Sequence, residues 1–135
     1  MNDADTLVRR IVCALRDAGF SAFAEFERGG QAVPAQACFI TVGVIKIEQD
    51  EQISDQSGFA LPLTAELRLR IHARTTDALD ALRLAAVSTL LALRDPHCAV
   101  IRTEGCGYQK QTDRLCEDLH LLTCAMLHCQ EEATQ

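Results

Sequence analysis

Tryptophan is absent from this 135-residue sequence, which has one tyrosine and five phenylalanines. That scarcity excludes the aromatic stacking platforms on which single-stranded nucleic acids are held. Lysine is nearly missing too, with only Lys46 and Lys110, and the arginines are scattered, Arg9 and Arg10 being their only adjacent pair. At a net charge of -6 the chain lacks the clustered cations that phosphate contacts need, so sequence-specific nucleic-acid binding is not expected. No apolar run approaches the roughly 18 residues of a spanning helix, and no membrane partner is expected. The N-terminal MNDADTLVRR is acidic and polar where a signal peptide would be basic and then greasy, which points to the cytosol. There is no glycine-rich phosphate loop, nucleophile elbow or paired-carboxylate signature, so the chain reads as a non-enzyme without a cofactor.

The balance of 48% hydrophobic and 24% charged residues is that of a globular domain. Its length suits a single domain over residues 1–130, with a tail at 131–135 that has no core residue and is expected to fray. Cysteine is plentiful instead of scarce: seven in a chain without a secretion signal. Reduced thiols behave as small hydrophobes, so most of them are expected in the core.

The stretch that organises the chain is FALPLTAELRLRIHAR, Phe59 to Arg74, in which Leu61, Leu63, Ala65, Leu67, Leu69 and Ile71 occupy every second position. Pro62, Thr64, Glu66, Arg68, Arg70 and His72 lie between them. A strict period of two gives one greasy and one charged face, the mark of a half-buried antiparallel strand. Each buried Leu or Ile contributes roughly 1.5 to 3 kcal/mol, so a one-residue slip would forfeit about 10 kcal/mol.

Upstream, Asp3 to Ala18 predicts an amphipathic helix with Leu7, Val8, Ile11, Val12 and Leu15 on one stripe and Gly19 as its left-handed terminus. Ser21 to Phe26 predicts a short strand, Glu27 to Gly30 a turn, and Pro34 limits its surroundings to a loop or edge. Ala37 to Glu48, rich in β-branched residues, predicts a central strand covered on both sides, with Gly43 marking a bulge or a close backbone contact. The polar QDEQISDQSG, Gln49 to Gly58, reads as a long hairpin loop. Downstream, Thr75 or Thr76 caps a second helix with Leu79, Leu82, Ala86, Leu90 and Leu93 on its buried stripe. Ala81, Leu84, Ala85, Val87, Leu91 and Ala92 widen that stripe until little of the helix is plainly polar, as in a helix that also meets a partner subunit. Pro96 ends it. Ala99 to Tyr108 and Leu115 to Cys129 predict a closing hairpin, turned at Gln109 to Arg114. The expected fold class is α+β: a mainly antiparallel sheet of four to five strands with two helices packed on one face.

Cys116, His120, Cys124 and His128 are four metal-type side chains at intervals of four. On a helix they would line up for chelation, but on a strand neighbours stand about 13 Å apart and cannot share an ion. A terminal helix would leave the Ala99 strand unpaired, so the strand reading is preferred and no metal is assigned. His97 and Cys98 beside Asp95 are adjacent in the chain and do not point at each other. Cys106 stands between Gly105 and Gly107 without a base.

The order of elements, with FERGGQAVPAQACFITVGVIKIEQDEQ followed by LTAELRLRIHAR, resembles the tail terminator family of long-tailed bacteriophages and related minor tail and neck proteins. The resemblance covers nearly the whole chain and rests on topology and pattern. It implies a structural protein forming a ring, typically a hexamer, that ends the tail tube and meets the head-side connector. Its partners would be itself, the tail-tube protein and the head-tail connector protein, in the host cytoplasm during assembly and then in the virion tail. The resemblance implies that the segment holding Glu48, Asp50, Glu51, Ile53 and Asp55 reaches a neighbouring subunit or the tube, its carboxylates giving a rim past which DNA slides. Leu84, Val87 and Leu91 are the expected oligomer-facing residues of the second helix. The alternative is a small cytosolic oligomeric adaptor or a zinc-binding module.

Overall fold

The structure is a computed structural model, and it describes residues 3–25, 36–49, 53–55, 58–94 and 96–129. The expected turn at Glu27 to Gly30, Pro34, the acidic residues Asp50 and Glu51, and the expected tail lie outside those residues. The chain runs α1 (Asp3–Asp17), β1 (Ala22–Ala24), β2 (Phe39–Gln49), β3 (Ile53–Asp55), β4 (Gly58–Ala73), α2 (Thr76–Leu91), β5 (His97–Gln109) and β6 (Arg114–Cys129). The sheet order is β1-β2-β4-β6-β5, with β3 paired to the start of β4. Every pairing is antiparallel except that of β1 with β2.

β4 is the centre because its alternation offers two usable faces. Ala65, Leu67, Leu69, Ile71 and Ala73 are all buried and meet Leu7, Val8, Ile11, Val12 and Leu15 of α1 and Leu79, Ala86 and Leu90 of α2 in one core. Both helices therefore lie on the same side of the sheet. α1 ends where Gly19 adopts φ 99°, and the Phe20 N–H returns to the Leu15 carbonyl at 3.0 Å. β4 and β6 pair without interruption from Phe59↔Cys129 to Ala73↔Leu115.

Three expectations are met only in part. β2 is an interior strand between β1 and β4, but it is covered on both faces only from Phe39 to Gly43, and beyond them the charged Lys46 and Glu48 are exposed. The long loop after Gln49 contains β3, because β4 begins at Gly58 and its first residues present an open edge that Ile53–Asp55 fills. Of the five cysteines whose burial is described, Cys98 and Cys116 are buried and Cys38 half-buried, and Cys13 and Cys124 are exposed. Cys13 falls off the α1 stripe between Val12 and Ala14, whereas Cys124 shares its face of β6 with the buried Cys116 and His120, so phase alone does not set its exposure.

Candidate assembly surface

α2 begins at an N-cap, where the Thr75 hydroxyl accepts from the Ala78 N–H at 3.1 Å. Its inner stripe, Leu79, Ala86 and Leu90, is buried, with Leu82, Val87 and Leu93 packed beside it. On the opposite side Ala81, Leu84, Ala85, Ser88, Leu91 and Ala92 are all exposed. The two leucines are 64% and 52% exposed, and no charged residue interrupts the series. From Ala81 to Ala92 the one charge is Arg83, which reaches Glu117 of β6 at 2.8 Å and Asp80 at 3.3 Å, and Asp77 stands one turn before the stripe. That hydrogen bond to Glu117 raises the affinity of the guanidinium for its proton. Of the three residues expected to face a partner, Leu84 and Leu91 point to solvent, whereas Val87 packs on the core. The exposure comes from having apolar residues in both phases of one helix, more than a single sheet can cover.

A second apolar patch arises from irregularity in β2. The register with β4 shifts between Val44 and Lys46, so Ile45 leaves the alternation and bulges. Val44 and Ile45 are 40% and 45% exposed. Of the two readings of Gly43, a bulge or a close backbone contact, the bulge falls two residues later and the close contact is found at Gly43 itself. Gly43 has a separate reason to be glycine, since the Glu25 carboxylate occupies the place a Cβ would take.

The sheet face away from the helices is polar yet tightly paired. Arg70 forks onto Asp118 at 2.8 and 3.0 Å, and Arg68 holds Glu25 at 2.9 Å. Phe39 stacks on His72 with centroids 4.2 Å apart, and the His72 Nε2 lies 3.4 Å from the Thr41 hydroxyl. Arg114, at the start of β6, donates to the carbonyls of Ala37 and Gln36 at 3.1 and 2.9 Å and so fastens the approach to β2. These pairs tie the face together, although two buried atoms, Arg68 Nε and His72 Nδ1, make no hydrogen bond.

The metal-type residues of β6 fall where a strand places them. Cys116, His120, Cys124 and His128 pair with His72, Arg68, Thr64 and Ala60, each one full step of four along the strand. His120 is buried, with Nδ1 at 3.3 Å from Glu66 and Nε2 at 3.7 Å from Glu104. Cys124 is exposed, 3.9 Å from the Thr64 hydroxyl. Among the described residues no three His, Cys, Asp or Glu side chains gather as metal ligands. Cys98 is buried beside Thr123, and burial pushes its thiol pKa up, away from a reactive thiolate.

Of the acidic segment, Glu48 is exposed and pairs with Lys46 at 2.8 Å. That bond lowers the carboxyl pKa and raises the ammonium pKa. Ile53 and Asp55 belong to β3. An open depression of about 120 Å³ beside the pair is lined by Lys46, Glu48, Thr64, Glu66 and Leu122. Ligand sites usually run to roughly 300 Å³ or more, so this one suits a few waters.

No protein-family profile matches this chain, and no curated protein matches it. Among solved structures, a chain described as part of the virion of a native gene transfer agent particle is similar over 92% of this chain and 92% of its own, at 14% identity and a TM-score of 0.45. Among the described residues no helix is long and apolar enough to cross a membrane.

Proposed function

We propose that this protein is a structural subunit that assembles with copies of itself into a ring at the end of a phage or prophage tail tube. The observation that carries the reading is the outer stripe of α2, where Leu84 and Leu91 stand in water along a helix face without a charge. Covering a Leu side chain contributes roughly 1.5 to 3 kcal/mol, so the stripe favours a partner. The resemblance of the sequence to tail terminators supplies the setting. In that setting one face of the ring meets the tail-tube protein and the other the head-tail connector protein, first in the host cytoplasm and then in the virion tail. The acidic segment from Glu48 to Asp55 forms a rim that repels DNA in passage. The subunit performs no catalysis and needs no cofactor.

Sedimentation velocity and negative-stain electron microscopy of the purified chain test this reading. The expected result is mass that rises with concentration above the 14.8 kDa monomer, ring-shaped particles, and binding of those particles to the ends of purified tail tubes. A chain that stays monomeric at high concentration refutes the assembly. Rings that ignore tail tubes refute the tail role and leave an oligomeric adaptor.

A further inference from the structure

The sheet face away from the helices holds a buried imidazole that the assembly surface does not use. His120 of β6 stands opposite Arg68 of β4 on one side and Arg102 of β5 on the other. Arg102 reaches that place through the step in register after Val100, which takes up Ile101. Glu66, opposite Leu122, and Glu104, opposite Asp118, approach the ring diagonally from its two ends. The His120 side chain is only 7% exposed, with Nδ1 3.3 Å from Glu66 Oε2 and Nε2 3.7 Å from Glu104 Oε1. Arg102 binds the same two oxygens, at 3.4 and 3.0 Å, so the four side chains form a closed circuit.

Two features of this circuit call for a proton. Nε2 is buried and makes no hydrogen bond, since 3.7 Å exceeds the roughly 3.2 Å that such a bond spans. With Nδ1 donating to Glu66, the neutral ring turns the Nε2 lone pair towards a carboxylate, whereas a charged ring donates from both nitrogens, one to each glutamate. Charge is also short by one. The guanidiniums of Arg68 and Arg102 face the carboxylates of Glu25, Glu66 and Glu104, two charges against three while the imidazole is neutral. The charges next to these are matched already, Asp118 by Arg70 and Lys46 by Glu48. On β6 itself, the same face carries Cys116 and Cys124, four residues to either side of the ring.

We propose that His120 is a proton-operated latch on the edge strand β5. When the ring takes a proton, Nε2 closes on Glu104 and ties β5, through β6, to Glu66 of β4. When the ring loses it, β5 is left with Arg102 and its backbone ladder. A latch matters at this strand, which ends the sheet and pairs with β6 alone among the described residues, in a register broken twice. The contact is whole where imidazoles are charged and is lost as pH rises through their ordinary range, about 6.5. The latch works within one chain, so it stands whether or not copies assemble.

Amide hydrogen exchange of the dilute full chain, read by peptide mass spectrometry and corrected for the intrinsic pH dependence of exchange, tests the latch. The β5 amides from Ala99 to Glu104 are expected to exchange roughly three- to tenfold more slowly at about pH 5.5 than at about pH 8, the scale of one part-exposed charge-assisted hydrogen bond. The lower pH stays above the ordinary carboxyl range of about 4, so the glutamates remain acceptors. His120→Gln keeps an amide in the place of the ring but takes up no proton, and it is expected to erase the difference. Glu104→Gln, at an exposed position that tolerates the change, is expected to erase it too and decides the matter should His120→Gln fail to fold. Equal β5 protection at both pH values overturns the proposal, as does a difference that persists in the variants. A change shared equally by the α1 amides also overturns it, because it reports the stability of the whole fold.

Discussion

The Glu25 carboxylate lies over Gly43, in the space where any other residue would carry its side chain, and from there both its oxygens bind the Arg68 guanidinium at 2.9 and 3.2 Å. Three strands meet in this contact, since Glu25 follows β1, Gly43 is in β2 and Arg68 in β4. Gly43→Ala is expected to push the carboxylate aside and cost about 1 kcal/mol, the scale of a part-exposed ion pair. Urea denaturation of Gly43→Ala, Glu25→Gln and the double variant checks it. The two costs should overlap instead of adding, because each removes the same contact.

Leu90 and Leu91 are neighbours in α2 with opposite fates, one fully buried and one half exposed. Leu90→Ala should destabilise the fold by about 3 kcal/mol through the cavity it leaves. Leu91→Ala should change monomer stability by no more than about 0.5 kcal/mol. Thermal melts at low concentration measure both.

Thiol labelling should separate the cysteines by environment. Cys13 and Cys124 should react with iodoacetamide in the native protein, while Cys98 and Cys116 should label only on unfolding. Peptide mass spectrometry after brief labelling reads each site. Cys98 is doubly protected, being hidden from reagent and held as the thiol by burial.

The single tyrosine makes one titration unambiguous. Tyr108 donates to Asp113 at 2.6 Å, and that bond raises the phenol pKa, with burial and the aspartate charge adding to it. A raised folded pKa means the contribution to stability is whole below the ordinary value of about 10 and is lost as pH rises through the folded value. Tyrosinate absorbance should therefore appear at higher pH in the folded chain than in urea. Asp113→Asn, which still tolerates the left-handed φ of 53° at this turn, should bring the midpoint back down.

Much of this architecture was legible in the sequence where periodicity carries information. The alternation from Leu61 to His72 fixed β4, and the Leu7 to Leu15 stripe fixed α1 within a residue. The two apolar phases of α2 likewise announced a helix with apolar residues both buried, as at Leu90, and exposed, as at Leu84 and Leu91. What the sequence hid depends on partners distant along the chain. β3 is held by edge hydrogen bonds that any short polar segment can make, so Ile53–Asp55 looked like loop. The parallel pairing of β1 left no mark in its three residues. The fork of Arg70 on Asp118 and the ion pair of Arg68 with Glu25 span 48 and 43 positions, and only the register of β4 with its neighbours brings them together.

That register has a mechanical side. β2 and β5 each break step with their neighbours, at Ile45, Ile101 and Cys106, but β4 and β6 keep step from Phe59↔Cys129 to Ala73↔Leu115. A force along these two strands is shared by the whole ladder at once, whereas a force at a bulged strand can peel it bond by bond. Under strain the central pair would be the last part of this subunit to give way, and its rims the first.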